Sequence, residues 1–283
     1  MDNVKAFLGI REVLANFLQE DIGAGDITSD TIIPVDLKAS AEVLSKSRSA
    51  IVCGLEEASI LFDICGCKTE VLVKDGSKVI NGTTVMNVSG CARAILKTER
   101  TALNLIMRMS GIATETRKIA DLAKGVTILA TRKTAPGLRY FDKKAVVLGG
   151  GSPHRMRLDD MVLIKDNHLA LSSDPEECIR LSRKKIGSSI KIECEAKSKE
   201  EALKVVSAGA DLVMLDNFTP ELARKTIEQI TKMGKRKDVM IELSGGINQR
   251  NIQDYLQAKP DFISLGSITH SPRAADFSLE IRK

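Results

Sequence analysis

Basic side chains and histidines crowd into one stretch of this chain. From Thr131 to His168 it reads TRKTAPGLRYFDKKAVVLGGGSPHRMRLDDMVLIKDNH, with two of the three histidines and a glycine triplet set among two short apolar runs. Arg132, Lys133, Arg155 and Lys165 can together neutralise a polyanion, and a guanidinium fork matches a planar carboxylate through two parallel hydrogen bonds. Further on, Ser244-Gly245-Gly246-Ile247 and Gly266-Ser267 are short loops whose amides can cradle a phosphate, because glycine lets the backbone come close. Glu195 and Asp216 place two carboxylates on separate apolar runs, where they can hold sugar hydroxyls or a Mg2+ ion bound to phosphate. These residue types point to a ligand with carboxylates and phosphates, and a polyol or metal between them.

Such groups need a frame that brings distant segments to one place. After Ala94, ILKTERTALNLIMRMSGIATETRKIADLA reads as a long helical region that Gly111 should break. Seven apolar runs follow: VTILA, AVVLG, MVLI, SIKIEC, DLVML, VMIEL and DFISLG. Several are separated by helix-like stretches, which implies βα units and a mainly parallel sheet. In order, the runs are followed by Thr131-Arg132-Lys133, Gly149-Gly150-Gly151, Lys165-Asp166-Asn167-His168, Glu195, Asp216-Asn217, Ser244-Gly245-Gly246 and Gly266-Ser267. Ligands bind at the C-terminal edge of parallel sheets, so the succession predicts one shared site. The expected fold is α/β: a C-terminal open or incomplete TIM-like α/β barrel of six to seven strands, with a smaller N-terminal α+β sandwich domain.

The first third has another rhythm. Residues 1 to about 20 carry Val4, Phe7, Leu8, Val13, Leu14, Phe17 and Leu18 at helical spacing, and EDIGAGDITSD reads as turns. Strand-like runs SAEVLSKS, SAIVCG, KTEVLVKDG and TTVMNVSG come next, with a short helix at Glu56 to Phe62. The stretch from Lys74 to Gly90 has the architecture of the half-sandwich in lipoyl and biotinyl carriers, without their exposed lysine hairpin. The expected division is residues 1–108 for the N-terminal domain and 109–271 for the barrel, with the tail 272–283 packing on the former.

Composition excludes several functions. Aromatic residues make up 3% with no Trp, and no zinc or helix-turn-helix signature is present, so nucleic acid is not an expected partner. Net charge is +5, mildly basic. The six cysteines form no CxxC pair, which suits reduced thiols in a cytoplasmic protein. No apolar run approaches the roughly 20 residues of a membrane span, and no signal peptide is evident.

Several segments are long and unusual: EDIGAGDIT at Glu20–Thr28, ERTALN at Glu99–Asn104, TRKTAPGLR at Thr131–Arg139, GGGSPHR at Gly149–Arg155, LIKDNH at Leu163–His168, LDN at Leu215–Asn217, ELSGGI at Glu242–Ile247 and SLGSITHS at Ser264–Ser271. Through them the chain closely resembles, nearly end to end, the quinolinate phosphoribosyltransferase family, also called nicotinate-nucleotide pyrophosphorylase (carboxylating). The resemblance implies that quinolinate and 5-phosphoribosyl-1-pyrophosphate (PRPP) become nicotinate mononucleotide, pyrophosphate and CO2 in de novo NAD biosynthesis. It further implies a Mg2+ requirement and a homodimer, or assembly of dimers, with sites shared between subunits. By matched motif, Thr131, Arg132, Lys133, His154, Arg155 and Lys165 should line the quinolinate pocket, joined by Arg100 of a partner subunit. Glu195 and Asp216 should face ribose and Mg2+–pyrophosphate. Ser244, Gly245, Gly246, Gly266, Ser267 and Ile268 should hold phosphate, with His270 close by. Lys133, Lys165, Glu195 and Asp216 are the expected catalytic residues. The nearest alternative is a molybdenum-transport-associated paralogue of the same fold. A Schiff-base lyase using Lys133 or Lys165 is a second, and the crowding by Arg132 and Arg155 argues against it.

Overall fold

The computed structural model describes residues 9–172 and 174–282, and these form two compact units. The first comprises residues up to Arg117 together with Tyr140–Gly149 and the tail from Ser271; the second comprises Lys118–Arg139 and Gly150–His270. Val4, Phe7 and Leu8 of the expected first helix lie outside the described residues.

The first unit opens with helices α1 (Ile10–Ile22) and α2 (Ile27–Ile32), then strands β1 (Lys38–Ser45) and β2 (Ser49–Ile51). Helix α3 (Leu55–Ile64) precedes strands β3 (Lys68–Val71), β4 (Lys78–Ile80) and β5 (Thr84–Cys91). Helix α4 follows directly at Ala92–Leu122. Strand β1 buries Ala41, Val43 and Ser45, the alternation of a strand with one face in the core. That core holds Leu14, Leu18, Leu61, Phe62, Met86 and Ile106, each essentially inaccessible. Full burial of a side chain of this size stabilises by about 1.5–3 kcal/mol.

Two expectations are corrected in this unit. EDIGAGDITSD is not all turn: Asp26 accepts a hydrogen bond from Ser29 N at 3.1 Å and so caps α2. Gly111 does not break the long helix, because α4 runs through it for 31 residues. Its glycine serves an approach instead. A Cβ at Gly111 would stand 2.0 Å from the Arg273 carbonyl oxygen, so only glycine admits the tail backbone there. That tail ends in a strand, Phe277–Arg282, which pairs antiparallel with β1 from Ser40↔Arg282 to Ser45↔Phe277.

In the second unit, β6 (Thr127–Ala130), β7 (Val162–Ile164), β8 (Ile192–Ala196), β9 (Leu212–Asp216), β10 (Met240–Ser244) and β11 (Phe262–Leu265) form one sheet in the order β6-β11-β10-β9-β8-β7. Every pair is parallel. All five residues of β8 are buried, as expected of a strand covered on both faces. The intervening helices begin with the signals that end strands and start helices. Asp174, Ser198 and Thr219 each accept a backbone N–H as N-cap, and Pro175 and Pro220 open their helices.

The order is that of a ring broken once, between β6 and β7. The run AVVLG was expected to be the strand between them, and it is helical. Arg139–Leu148 forms α5, with Phe141, Asp142, Ala145 and Val146 buried at helical spacing. A four-residue apolar run cannot tell strand from buried helix by itself, and the neighbouring Phe141 decides the period. Among the described residues, only Ser152 continues the sheet past β6: its N–H donates to Ile128 O at 2.8 Å, and its O accepts from Ala130 N at 3.0 Å. The barrel is therefore open and six-stranded. Among the described residues no helix is long and apolar enough to cross a membrane.

Candidate active site

Parallel pairing puts every strand's C-terminal end on one edge, and the expected residues of the second unit gather there. Thr131, Arg132 and Lys133 leave β6. Thr131 Oγ1 accepts from Lys133 N at 3.1 Å, while Lys133 O accepts from Thr269 Oγ1 at 3.0 Å. The end of β6 is thus tied to the turn after β11. Across that turn lies the Lys133 side chain: a Cβ on Gly266 would stand 3.0 Å from Lys133 Cδ and 3.1 Å from His270 Cδ2. Ser267 and Ile268 open the short helical turn Ser267–His270 that follows, with Ile268 buried and Ser267 exposed.

On the other side of the sheet, Lys165 leaves β7 and its Nζ donates to Glu195 Oε1 at 3.1 Å. Asp166 N donates to the second oxygen of Glu195 at 3.2 Å, so this carboxylate is held on both sides. Lys165 N donates to His168 Nδ1 at 2.9 Å, which fixes the loop itself. Asp216 ends β9, directly opposite Ser244 at the end of β10. Burial, and then the charge of Glu195, raises the Asp216 pKa above its ordinary value. A carboxyl whose pKa is raised by a neighbouring carboxylate fits a cation or hydroxyl donors between the two.

The turn after β10 is shaped by Asn217, which stands in the left-handed region at φ +58° and donates its N–H to Ser244 O at 2.8 Å. A Cβ on Gly245 would fall 2.2 Å from Asn217 Oδ1, and Gly245 itself has φ +94°. Only glycine fits that position. Gly246 O accepts from the side chains of Asn248 and Asn251.

The two arginines converge. Arg155 is 7% exposed, and burial followed by the charge of Arg132 lowers its pKa. Its Nη1 donates to Met161 O at 3.4 Å. Arg132 Nε is buried and has no hydrogen-bond partner. An N–H so placed costs free energy unless a ligand accepts from it.

His154 turns elsewhere. Its Nε2 lies 3.1 Å from Glu193 Oε2 and 3.3 Å from Glu242 Oε2, both carboxylates fully buried. Its Nδ1 accepts from Arg155 N at 2.7 Å. Burial lowers the His154 pKa, but the bonds to Glu193 and then Glu242 outweigh it and raise the value to about 9. Burial, and then the charge of Glu242, pushes Glu193 above the usual carboxylate range. The Arg155 N–H points at Nδ1, so Nε2 is the ring nitrogen that presents its proton to the carboxylates. Among the described residues this trio is also the group whose ligand atoms lie close enough, within 4.8 Å, to hold a metal ion.

Arg100 lies on α4 in the first unit, exposed at the surface beside Glu99. The remaining expected residues belong to the second unit. Reading by strand ends missed Glu193, Glu242 and Thr269. Period two would have found the first pair: Glu193 is two residues before Glu195, and Glu242 two before Ser244, so each shares a face with an expected site residue.

Known proteins resemble this chain over most of its length. The model for the quinolinate phosphoribosyl transferase C-terminal domain matches residues 112–280, and that for the N-terminal domain matches residues 26–110. The chain is 40% identical over 275 residues to a protein of Methanothermobacter thermautotrophicus described as "probable nicotinate-nucleotide pyrophosphorylase [carboxylating]", covering 96% of this chain and 98% of that one. It is 36% identical over 289 residues to quinolinate phosphoribosyltransferase [decarboxylating] 1b of Nicotiana tabacum, covering 96% and 82%. The crystal structure of nicotinate-nucleotide pyrophosphorylase from Ehrlichia chaffeensis superposes with a TM-score of 0.91 at 32% identity, over 98% of this chain and all of that one.

Proposed function

The chain belongs to the quinolinate phosphoribosyl transferase family, and on that premise we propose that it transfers the phosphoribosyl group of PRPP to the ring nitrogen of quinolinate with loss of CO2. The products are nicotinate mononucleotide and pyrophosphate, and the step belongs to de novo NAD biosynthesis. The observation that carries the reading is the Arg132–Arg155 pair. Two like charges are held together at a sheet edge, and a buried Arg132 N–H lacks an acceptor. A planar aromatic ring with two adjacent carboxylates satisfies both forks at once.

Clamped by its carboxylates, quinolinate presents its nitrogen to the anomeric carbon of PRPP, which removes most of the entropic cost of the encounter. The new C–N bond forms as the bond to pyrophosphate breaks. Positive charge grows on the ribose and faces Glu195 and Asp216, which stabilise it. Lys165 and the Asp166 amide hold Glu195 in place for that task. The ring nitrogen is then a pyridinium, whose charge stabilises the electron pair left on the adjacent carbon as CO2 departs; a proton fills that position. Phosphate groups fit the turns Ser244–Gly246 and Gly266–Ile268, with Lys133 lying across Gly266 and His270 beside it. Thr131 supports Lys133 from the strand end.

Glu195 and Asp216 are the residues that would hold Mg2+ arriving with PRPP, and their mutual crowding fits such an ion. Its chemistry there is to neutralise the departing pyrophosphate. The reading places the enzyme in the cytoplasm as a homodimer or assembly of dimers, with Arg100, exposed on α4, serving the site of the second copy.

The test is release of radiolabelled CO2 from carboxyl-labelled quinolinate, omitting PRPP and Mg2+ in turn. Release that requires all three is the expected result. No release from folded protein would overturn the proposed reaction.

A further inference from the structure

The buried trio His154, Glu193 and Glu242 is used by no step above, and it touches the anion pocket through one covalent neighbour. Among the described residues, His154 is one of three non-glycine residues with positive φ, at +50°. A left-handed histidine is uncommon and persists only where its surroundings hold it. Here the hold is visible. Glu193 Oε2 accepts from Nε2 at 3.1 Å, Glu242 stands 3.3 Å away, and both carboxylates are fixed by strands β8 and β10. On the other edge of the ring, Nδ1 takes the amide of Arg155 at 2.7 Å. The chain of contacts runs from the sheet floor through the imidazole to the backbone of the buried arginine.

We propose that Glu193 and Glu242 are positioning residues for quinolinate binding, acting through His154 to fix the backbone from which Arg155 projects. This rests on the assignment of Arg155 to the quinolinate pocket. The remaining oxygens support it: Glu193 Oε1 and both oxygens of Glu242 are buried without hydrogen-bond partners, so Glu193 holds the ring by a hydrogen bond and Glu242 by its charge at 3.3 Å. Two buried carboxyl groups are costly to retain for packing alone. Loosening the ring should let Arg155 drift from the geometry that a two-carboxylate ligand needs, while the PRPP half of the site is held by different contacts.

The experiment compares wild type, Glu193→Ala, His154→Ala and the double variant by quinolinate binding isotherms without PRPP, and by KM for PRPP in turnover. Each single change should weaken quinolinate binding about tenfold or more, the loss expected for one well-placed charged hydrogen bond. The double variant should be no worse than the weaker single, since both act along one line, and KM for PRPP should stay within about twofold of wild type. Glu193→Gln, which keeps volume and an acceptor, should fall between wild type and Glu193→Ala; it also stands in if the alanine variant does not fold. Losses that add in the double variant, an equal shift in KM for PRPP, or unchanged quinolinate affinity would each overturn the proposal. So would a divalent ion bound stoichiometrically to wild type and lost in Glu193→Gln. Because the isotherm needs no turnover, wild type that binds quinolinate but releases no CO2 refutes the reaction and leaves this inference standing.

Discussion

The two units differ in how they arrange buried charge. In the first, charges are matched. Arg108 Nε and Nη2 reach the two oxygens of the fully buried Asp142 at 2.7 and 2.9 Å, a two-pronged pair. Lys144 Nζ lies 2.7 Å from both Glu57 and Glu56. In the second unit like charges are also neighbours, Arg132 with Arg155, Glu195 with Asp216 and Glu193 with Glu242, although Lys165 pairs with Glu195 and His154 lies against the last two. Matched pairs complete themselves and leave nothing for a ligand to do. Crowded like charges raise the free energy of the empty protein, and an ion or substrate of opposite charge recovers it. The sign pattern of buried groups, more than their number, separates scaffold from site here.

The largest test of this contrast is Asp142→Ala. It leaves Arg108 without its buried partner and should cost about 3–5 kcal/mol of stability, read as a lowered Tm, while kcat of the folded enzyme stays as in wild type. A loss of turnover at preserved Tm would break the distinction. Arg132→Ala should do the reverse. Stability should hold, and quinolinate binding should weaken by about 1.5–3 kcal/mol, the worth of a charged hydrogen bond; an isotherm identical to wild type would remove Arg132 from the pocket. The smallest effect concerns Asp216. Its folded pKa is raised, so folding favours the neutral acid: that contribution is full below 3.8, its ordinary value, and is lost as pH rises through the raised one. Asp216→Asn is neutral throughout. It should therefore melt slightly higher than wild type at neutral pH, lose that advantage as pH falls toward 3.8, and turn over more slowly. A lower Tm at neutral pH would mean that Asp216 is a stabilising residue and the crowding argument fails for this pair.

Much of this was legible in advance where a residue's role follows from its position on a strand. Thr131–Lys133, Lys165, Glu195, Asp216, Ser244 and Gly266 all follow apolar runs, and parallel pairing sends run ends to one edge. AVVLG was not legible, because four apolar residues satisfy either period and only the burial of Phe141 beside them selects the helix. Gly111 misled for a related reason: glycine lowers helix propensity locally, but here it answers a backbone that approaches from Arg273, more than a hundred residues away. Period two puts Glu193 and Glu242 on the site face of their strands, but their link to His154 escaped, because His154 comes from a loop.

Most of the strands and helices, the convergence of basic groups and glycines on strand ends, and the family itself were determined by the sequence alone, since each depends on local period or contiguous motif. Tertiary structure decided which charges are neighbours, where the ring of strands is broken, and which way His154 faces. Those depend on distances between segments far apart in the chain, and side-chain type does not encode distance.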